Sequence, residues 1–373
     1  MVKNLLKYEF LKVIKSKGIC IFLILLLISN LLQIIYVNKN DLHGNLYEGK
    51  TKILNKIEGK VTQKKYDWLV EKYNQLKDRI DQGDYDTKNE DKSFFTGYAY
   101  GDYQITENIL KDYEYVVNYK KLIKKKIKVI KENIEFTHDQ NWKNYNKKML
   151  EKLKARDLSY YYDYMLMENF INNDFLYLLL LLVVLLLVIK MFLYDKQEGT
   201  YFYLNMIGRQ KLKIYISKLI TLVIFLAIFN ILFLLEKYLT YYCLGMKNGL
   251  LQPLYALDKF AYVPINISII QYVILNYLYQ LIGSICFMMI LIYSFSFFKK
   301  EIKGIFLGII YIYLSIVCFN NHIFSIINFS SLSEIVFEKT LCMKFILISL
   351  AIIFISFLCS YLSIRRGRYY ETT

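Results

Sequence analysis

Apolar positions along this chain are bunched into long blocks with polar stretches between them. Runs long enough to cross a bilayer, which takes about 20 residues each, begin near Gly18, Phe175, Ile214, Ile267, Ile305 and Lys344. Six spanning helices are therefore expected. Ahead of the first run, Leu5, Leu6, Phe10, Val13 and Ile14 share one helical stripe, and Lys3, Lys7, Lys12, Lys15 and Lys17 surround the other side. That pattern predicts an amphipathic interfacial helix over residues 1–17, its lysines toward an anionic cytoplasmic leaflet. The run at 18–36 is followed by no small-residue cleavage site, so the sequence predicts a first span that is retained rather than a signal peptide.

Between residues 37 and 173 the period changes. Leu69, Tyr73, Leu76 and Ile80 step by four, three and four, as do Ile123, Ile127, Ile130 and Ile134, and both sets predict helical seams. Ser93 to Gln104 mixes glycines and aromatics without a period, which predicts a connecting loop. The basic run Lys120 to Lys131 flanks the isoleucine seam and is read as a solvated helix face. Trp142, Tyr145 and the cluster Tyr160, Tyr161, Tyr162 and Tyr164 precede the second span, where they predict an interfacial aromatic belt. The block as a whole is expected to be a helical extracytoplasmic domain.

Residues 174–364 carry the remaining spans. The second, Phe175 to Tyr194, has Lys190 as its only charge, explained by snorkelling near the cytoplasmic end. The third runs to Leu235, with Glu236 and Lys237 marking its outer end. Tyr238 to Pro264 contains both prolines of the chain, Pro253 and Pro264, and predicts a short re-entrant or surface helix pair. The fourth span covers about Ile267 to Phe298, a basic turn follows at Lys299 to Gly304, and the fifth runs from Ile305 towards Ile327. The sixth ends at Ser363, before Arg365, Arg366 and Arg368 in a tail over residues 365–373. Basic residues at both ends and in two connections place both termini in the cytoplasm. The fold class expected is an all-α polytopic membrane protein of about six spans, with an N-terminal interfacial helix and a helical extracytoplasmic domain.

Composition agrees, at 55% hydrophobic residues. A formal charge of +16 could indicate a nucleic-acid partner, but residues 37–173 hold 26 Lys and Arg against 22 Asp and Glu, so only +4 sits there. Most of the excess flanks the apolar runs as positive-inside anchoring does, and no nucleic-acid partner is expected. Six cysteines avoid the polar block and form no CxxC pair, so neither a disulfide framework nor a metal site is predicted; only a Cys318–Cys342 bond is left open. GxxxxGK[ST], HExxH, GxSxG and GxGxxG are all absent, and His43, His138 and His322 are scattered. No catalytic constellation is therefore expected. Any energy source must lie on another molecule.

Two sets of residues remain as candidates for function. Asn30, Gln33, Asn230, Asn276, Gln280 and Ser284 are polar positions inside spans, the last three on one helical face at i, i+4 and i+8. They fit either interhelical hydrogen bonding or the lining of a translocation path. The second set is the connection Asp195 to Lys218, DKQEGTYFYLNMIGRQKLKIYISK. Leu204 and Ile207 share a side with Tyr201 near them, while Glu198, Arg209, Lys211 and Lys213 carry charge, predicting a short amphipathic helix near 195–213 at the cytoplasmic mouth.

The segment EGTYFYLNMIGRQKLKIYISKL resembles the signature that follows the second span in type-2 permeases of ATP-binding-cassette transporters. In that family an acid-x-Gly-Thr-like start leads through a Leu and an Arg to a Lys opening the third span, matched here by Glu198, Gly199, Thr200, Leu204, Arg209 and Lys218. KYEFLKVIKSKG, the six spans and the domain between the first and second extend the resemblance over nearly the whole chain. Where family members often carry Pro shortly before the Arg, this chain has Ile207 and Gly208. The resemblance implies a bacterial plasma-membrane permease that pairs with a second permease chain, identical or different, and with two copies of an ABC ATPase. ATP and Mg would then sit on the ATPase, this chain binding no cofactor itself, and Glu198 to Arg209 would form the coupling helix. Export or expulsion of a peptide, such as an antimicrobial peptide, is the expected activity. A non-transporting membrane sensor or immunity protein that binds an extracellular ligand is the alternative from another class, and a membrane enzyme is disfavoured by the missing constellations.

Overall fold

The computed structural model describes residues 2–40, 48–83, 99–172, 174–193, 211–246, 248–261, 263, 265–295, 301–317, 326–330, 332 and 339–365. In chain order its elements are α1 (Val2–Ile14), α2 (Lys17–Asn40), α3 (Glu48–Ile57), β1 (Gly59–Lys60), α4 (Gln63–Asp81), α5 (Ala99–Phe136), α6 (Gln140–Lys154), β2 (Tyr160–Tyr161) and α7 (Tyr164–Ile171). They continue through α8 (Asp174–Val188), a π-helical turn at Ile189–Leu193, α9 (Lys211–Cys243), α10 (Ile269–Phe295), α11 (Glu301–Val317) and α12 (Lys339–Arg365). Among the described residues the regular structure is helical apart from one two-residue ladder and an isolated bridge between Pro253 and Ser268. Four stretches among the described residues are long and apolar enough to cross a membrane, Lys17–Asn38, Tyr164–Phe192, Leu212–Cys243 and Ile269–Phe295, which is the make-up of a multi-pass membrane protein. Lys303–Ile316 and Ile346–Leu362 are shorter apolar helices.

The chain forms two compact units, one of Met1–Leu31, Asn173–Lys237 and Ile274–Thr373, the other of Leu32–Asn172 and Tyr238–Val273. In the first unit α8 is apolar on every side and is enclosed accordingly, with Leu180, Leu181, Val183, Val184, Leu187 and Val188 all at 0% exposure. By contrast α2 leaves Ile21, Ile24, Leu25 and Ile28 uncovered, and α9 leaves Ile220, Ile224, Ile228 and Ile231 uncovered. Such one-sided apolar faces suit a lipid solvent. On α1, Glu9 and Val13 are buried and Phe10 stacks on Phe225 at 4.6 Å, whereas Ile14 of the predicted apolar stripe is half exposed.

Close helix approaches in this unit occur at small residues. A Cβ at Gly283 of α10 would overlap Phe329 and the Tyr177 hydroxyl, and one at Gly308 of α11 would meet the end of Leu185. The fifth span, predicted to run towards Ile327, is helical from Glu301 to Val317; residues 318–325 lie outside the described residues, and Ile326–Phe329 forms a 3-10 turn. One helix end differs from the sequence expectation. The third span, predicted to end at Leu235, continues to Cys243, because Glu236 is taken up by a neighbouring helix instead of marking the edge.

The second unit is arranged along α5, whose 38 residues pack against α3, α4 and α6. Both predicted seams are found in part at these contacts. Leu69, Leu76, Ile123 and Ile130 are buried, while Tyr73, Ile80, Ile127 and Ile134 are half-buried at the margins. Lysines 120, 121, 124, 125, 128 and 131 are exposed, as a solvated face requires. Side chains cap the shorter helices at their starts, with Thr62 accepting from Lys65 N, Asp139 from Asn141 N at 2.8 Å and Asp163 from Leu166 N at 3.2 Å. After α3 the chain turns through Gly59 at φ 92°, a left-handed conformation that glycine adopts freely, into the ladder that pairs Gly59 with Tyr161 and Lys60 with Tyr160.

That ladder corrects the reading of the tyrosine cluster. Alternation along β2 leaves Tyr160 exposed and buries Tyr161, whose ring meets Tyr113 at 5.2 Å and Tyr164 at 5.1 Å. Tyr161 and Tyr164 thus belong to the unit's core and not to an aromatic belt. The expected loop at Ser93 to Gln104 is likewise helical from Ala99, where α5 begins. Among the described residues, 238–264 form no helix pair. After α9 ends they contain three 3-10 turns, Gly249–Leu251, Leu254–Ala256 and Asp258–Phe260. Arg156 secures them, its guanidinium donating to the carbonyls of Ala261, Val263 and Ile265 and to Asn266 Oδ1 while lying over the Tyr255 ring at 4.6 Å.

Candidate functional site

Glu198, Gly199, Thr200, Tyr201, Leu204 and Arg209, the predicted coupling residues, lie outside the described residues. Their two flanks do not. Before them α8 loosens into the π-helical turn, which shifts the hydrogen-bond pattern from i+4 to i+5. After them α9 begins, and Lys218, at 6% exposure, donates from Nζ to the Met191 carbonyl at 2.6 Å and lies over the Phe192 ring at 5.3 Å. Tyr215, one turn earlier, packs edge-on against the same Phe192 at 6.0 Å. Ser217 and Thr221 donate to carbonyls of their own helix, Ile214 and Ser217, each at 2.8 Å. Ser217, Lys218 and Thr221 are thus buried and engaged within the protein. A charge-assisted bond to the Met191 carbonyl ties the exit of one spanning helix to the entry of the next.

The polar positions inside the spans fall in several places. Asn30 on α2 is 1% exposed and donates from Nδ2 to Glu236 Oε2 on α9 at 2.8 Å. Gln33, three residues along α2, is half-buried. Asn230 donates to the Tyr277 carbonyl of α10 at 3.3 Å. Asn276, Gln280 and Ser284 are all at 0% exposure on one face of α10. There Asn276 Oδ1 accepts from Leu332 N at 2.7 Å, Gln280 Nε2 donates to the Ser330 carbonyl at 2.6 Å, and Ser284 bonds the Gln280 carbonyl at 2.8 Å. This face therefore holds the 3-10 turn and the residues just after it. Asn276 Nδ2 and Gln280 Oε1 remain buried without a partner among the described residues, a donor and an acceptor one turn apart.

Sequence reasoning missed three features. The Met191 acceptor and its π-helical turn have no local signal, since the run from Phe175 to Leu193 contains neither Gly nor Pro. Glu236 reads as a boundary charge until Asn30 is placed against it. A cavity in the second unit gathers acids from three separate elements. Cys318 lies outside the described residues, as does the Cys342 side chain, so the open Cys318–Cys342 pairing falls there too; Cys20, Cys243, Cys286 and Cys359 are free thiols. Compared with protein-family models, with curated proteins and with solved structures, the chain matches none.

Proposed function

We propose that this chain is the membrane-spanning permease subunit of a bacterial ABC transporter, exporting or expelling a peptide with ATP hydrolysed by a separate ATPase chain. The observation that carries the reading is the Lys218 bond to the Met191 carbonyl. It belongs to a residue of the matched signature, and it stiffens the junction between the two helices that Glu198 to Arg209 connect. A helix joined to a stiff junction passes a push from a soluble partner into the membrane, while one on a loose connector does not. In this reading Lys303–Ile316 and Ile346–Leu362 contribute the fifth and sixth spans, the N-terminal helix lies on the cytoplasmic leaflet, and most of the second unit is extracytoplasmic. The partners are two copies of the ATPase, a second permease chain and the surrounding lipid.

The test is affinity purification of the tagged chain from its native membrane, followed by identification of what comes with it. An ATPase is expected to co-purify, and Glu198→Ala with Arg209→Ala is expected to weaken that association or its ATP turnover by about tenfold or more. Unchanged association and turnover in the double variant would end the transporter reading.

A second reading has support from α10. Asn276, Gln280 and Ser284 are fully buried and bonded to neighbouring backbone, as packing residues are, which favours a sensor or immunity protein that holds a ligand without moving it. Asn276→Leu with Gln280→Leu separates the two. Transport lost with assembly retained supports a path through this face; protection against the ligand retained in full supports the sensor.

A further inference from the structure

We propose that a cavity in the second unit, between α5, α7 and the 3-10 turn Asp258–Phe260, binds an organic cation through a primary ammonium group of the kind a lysine side chain carries. The cavity measures about 390 Å³, within the range of about 300–1,000 Å³ usual for small-molecule sites. Asp112 and Tyr115 are three apart on α5 and Tyr164 and Glu168 four apart on α7, so each helix presents one face to the space, and Asp258 closes it.

Asp112, Glu168 and Asp258 line the cavity, Asp112 half-buried and the other two exposed, and none of their carboxylates makes a hydrogen bond or an ion pair within 4.0 Å among the described residues. The lining cation, Lys111, is held by Glu107 at 2.9 Å, and nearby Lys50 is held by Asp163 at 2.8 Å. Lys259 acts on Glu168 from an exposed position. The three acids are too dispersed for a metal ion, since no group of three His, Cys, Asp or Glu among the described residues could hold one. An alkylammonium, larger and less demanding in geometry, suits them better.

A second observation is independent of the acids. Tyr164 also lines the cavity, is 4% exposed, and keeps its hydroxyl without a hydrogen-bond partner beside Asp112 and Tyr115. A buried phenol oxygen left unused is costly, and an ammonium donor reaching it would remove that cost. The rings of Tyr115 and Tyr164 add faces that attract cations. Burial first, then the charges of Glu168, Asp163 and Asp258, push the Asp112 carboxyl up to about 7, with Lys50 opposing; Tyr161 also faces it. Protonation discharges this acid, so cation binding weakens as pH falls through 7.

This inference goes beyond the transport reading and holds for a transporter or a sensor alike. Its test needs no ATPase: the full chain, purified in detergent, is titrated calorimetrically with n-butylammonium, with n-butanol as neutral isostere, and with a short blocked peptide containing one lysine. Either cation should bind at pH 8 and weaken at least about tenfold at pH 6, and butanol should not bind. Tighter binding of the peptide identifies a peptide side chain as the source, and tighter binding of butylammonium a free amine. Asp112→Asn with Glu168→Gln should abolish binding. Tyr164→Phe, which removes only an unpartnered hydroxyl and so leaves the fold intact, should weaken it by about threefold or more. No binding of either cation at pH 8, equal binding of butanol, or full affinity in the Tyr164→Phe protein overturns the proposal.

Discussion

A lysine about two turns inside a spanning helix is ordinarily explained by snorkelling, yet Lys218 is 6% exposed and its ammonium is engaged on the Met191 carbonyl. Lys218→Met keeps the stem and deletes the donor, leaving a buried carbonyl with one fewer bond. The variant should lose about 1–3 kcal/mol in a thermal or denaturant melt, and Lys218→Arg should recover part of it. A variant as stable as the parent would mean that water takes over the acceptor. Asp112 gives a prediction of opposite sign. Its carboxyl, pushed up to about 7 chiefly by desolvation, stands above its unfolded value of about 3.9. The folded state therefore holds this proton more tightly, and stability declines as pH rises from about 4 through 7. Asp112→Asn should stabilise the empty protein at pH 8, on the order of 2 kcal/mol, with the gain fading towards pH 4. Melting midpoints at pH 8 and pH 5 check it, and an Asn variant that melts lower at pH 8 refutes it. Neither residue's situation was legible in the sequence. Lys218 needs an acceptor 27 positions away, and the Asp112 carboxyl is raised in part by Asp258 and Glu168, brought near only by the fold.

At the scale of elements, periodicity was most informative where one helix face meets one neighbour. The i, i+4, i+8 polar face of α10 could be read directly, and all three side chains are buried together. What they bond could not, because residues 330 and 332 follow a 3-10 turn that leaves no periodic trace. Similarly the tyrosines at 160–164 were visible as a cluster, but a two-residue strand decides which are core, and so short a ladder has no signature of its own. Gly283 and Gly308 separate two grades of tight packing. At Gly283 the obstruction is Phe329 at its Cβ, close to the backbone, whereas at Gly308 it is the flexible end of Leu185. Gly283→Ala should therefore cost about 1–3 kcal/mol and loosen the 3-10 turn, while Gly308→Ala should cost less than about 1 kcal/mol. Melting of the two variants side by side is the measurement, and equal losses would show that α10 can shift as readily as Leu185 rotates.

For the whole molecule, four long apolar helices follow directly from the distribution of apolar residues, because hydrocarbon thickness sets a length that sequence can meet or fail. Discontinuity of the second unit was not foreseeable. Residues 238–273 join 32–172 through Arg156, whose guanidinium makes four hydrogen bonds, to three carbonyls and an amide, that no local pattern announces. The proposed topology makes a prediction on this scale. If α2 carries the chain out and the stretch 164–192 brings it back, Lys120 and Lys213 lie on opposite sides of the membrane. Both are accessible positions, Lys120 with 75% of its side chain exposed and Lys213 in the exposed class. In a background with the six native cysteines replaced, Lys120→Cys should react with a membrane-impermeant maleimide on intact cells, and Lys213→Cys only after permeabilisation. Lysine-rich flanks argue for that direction, since positive charge near span ends resists translocation. The reverse labelling pattern would invert the topology and remove the 195–213 connection from reach of any cytoplasmic ATPase; labelling of both sites on intact cells would require an odd count of crossings to be wrong by one between them.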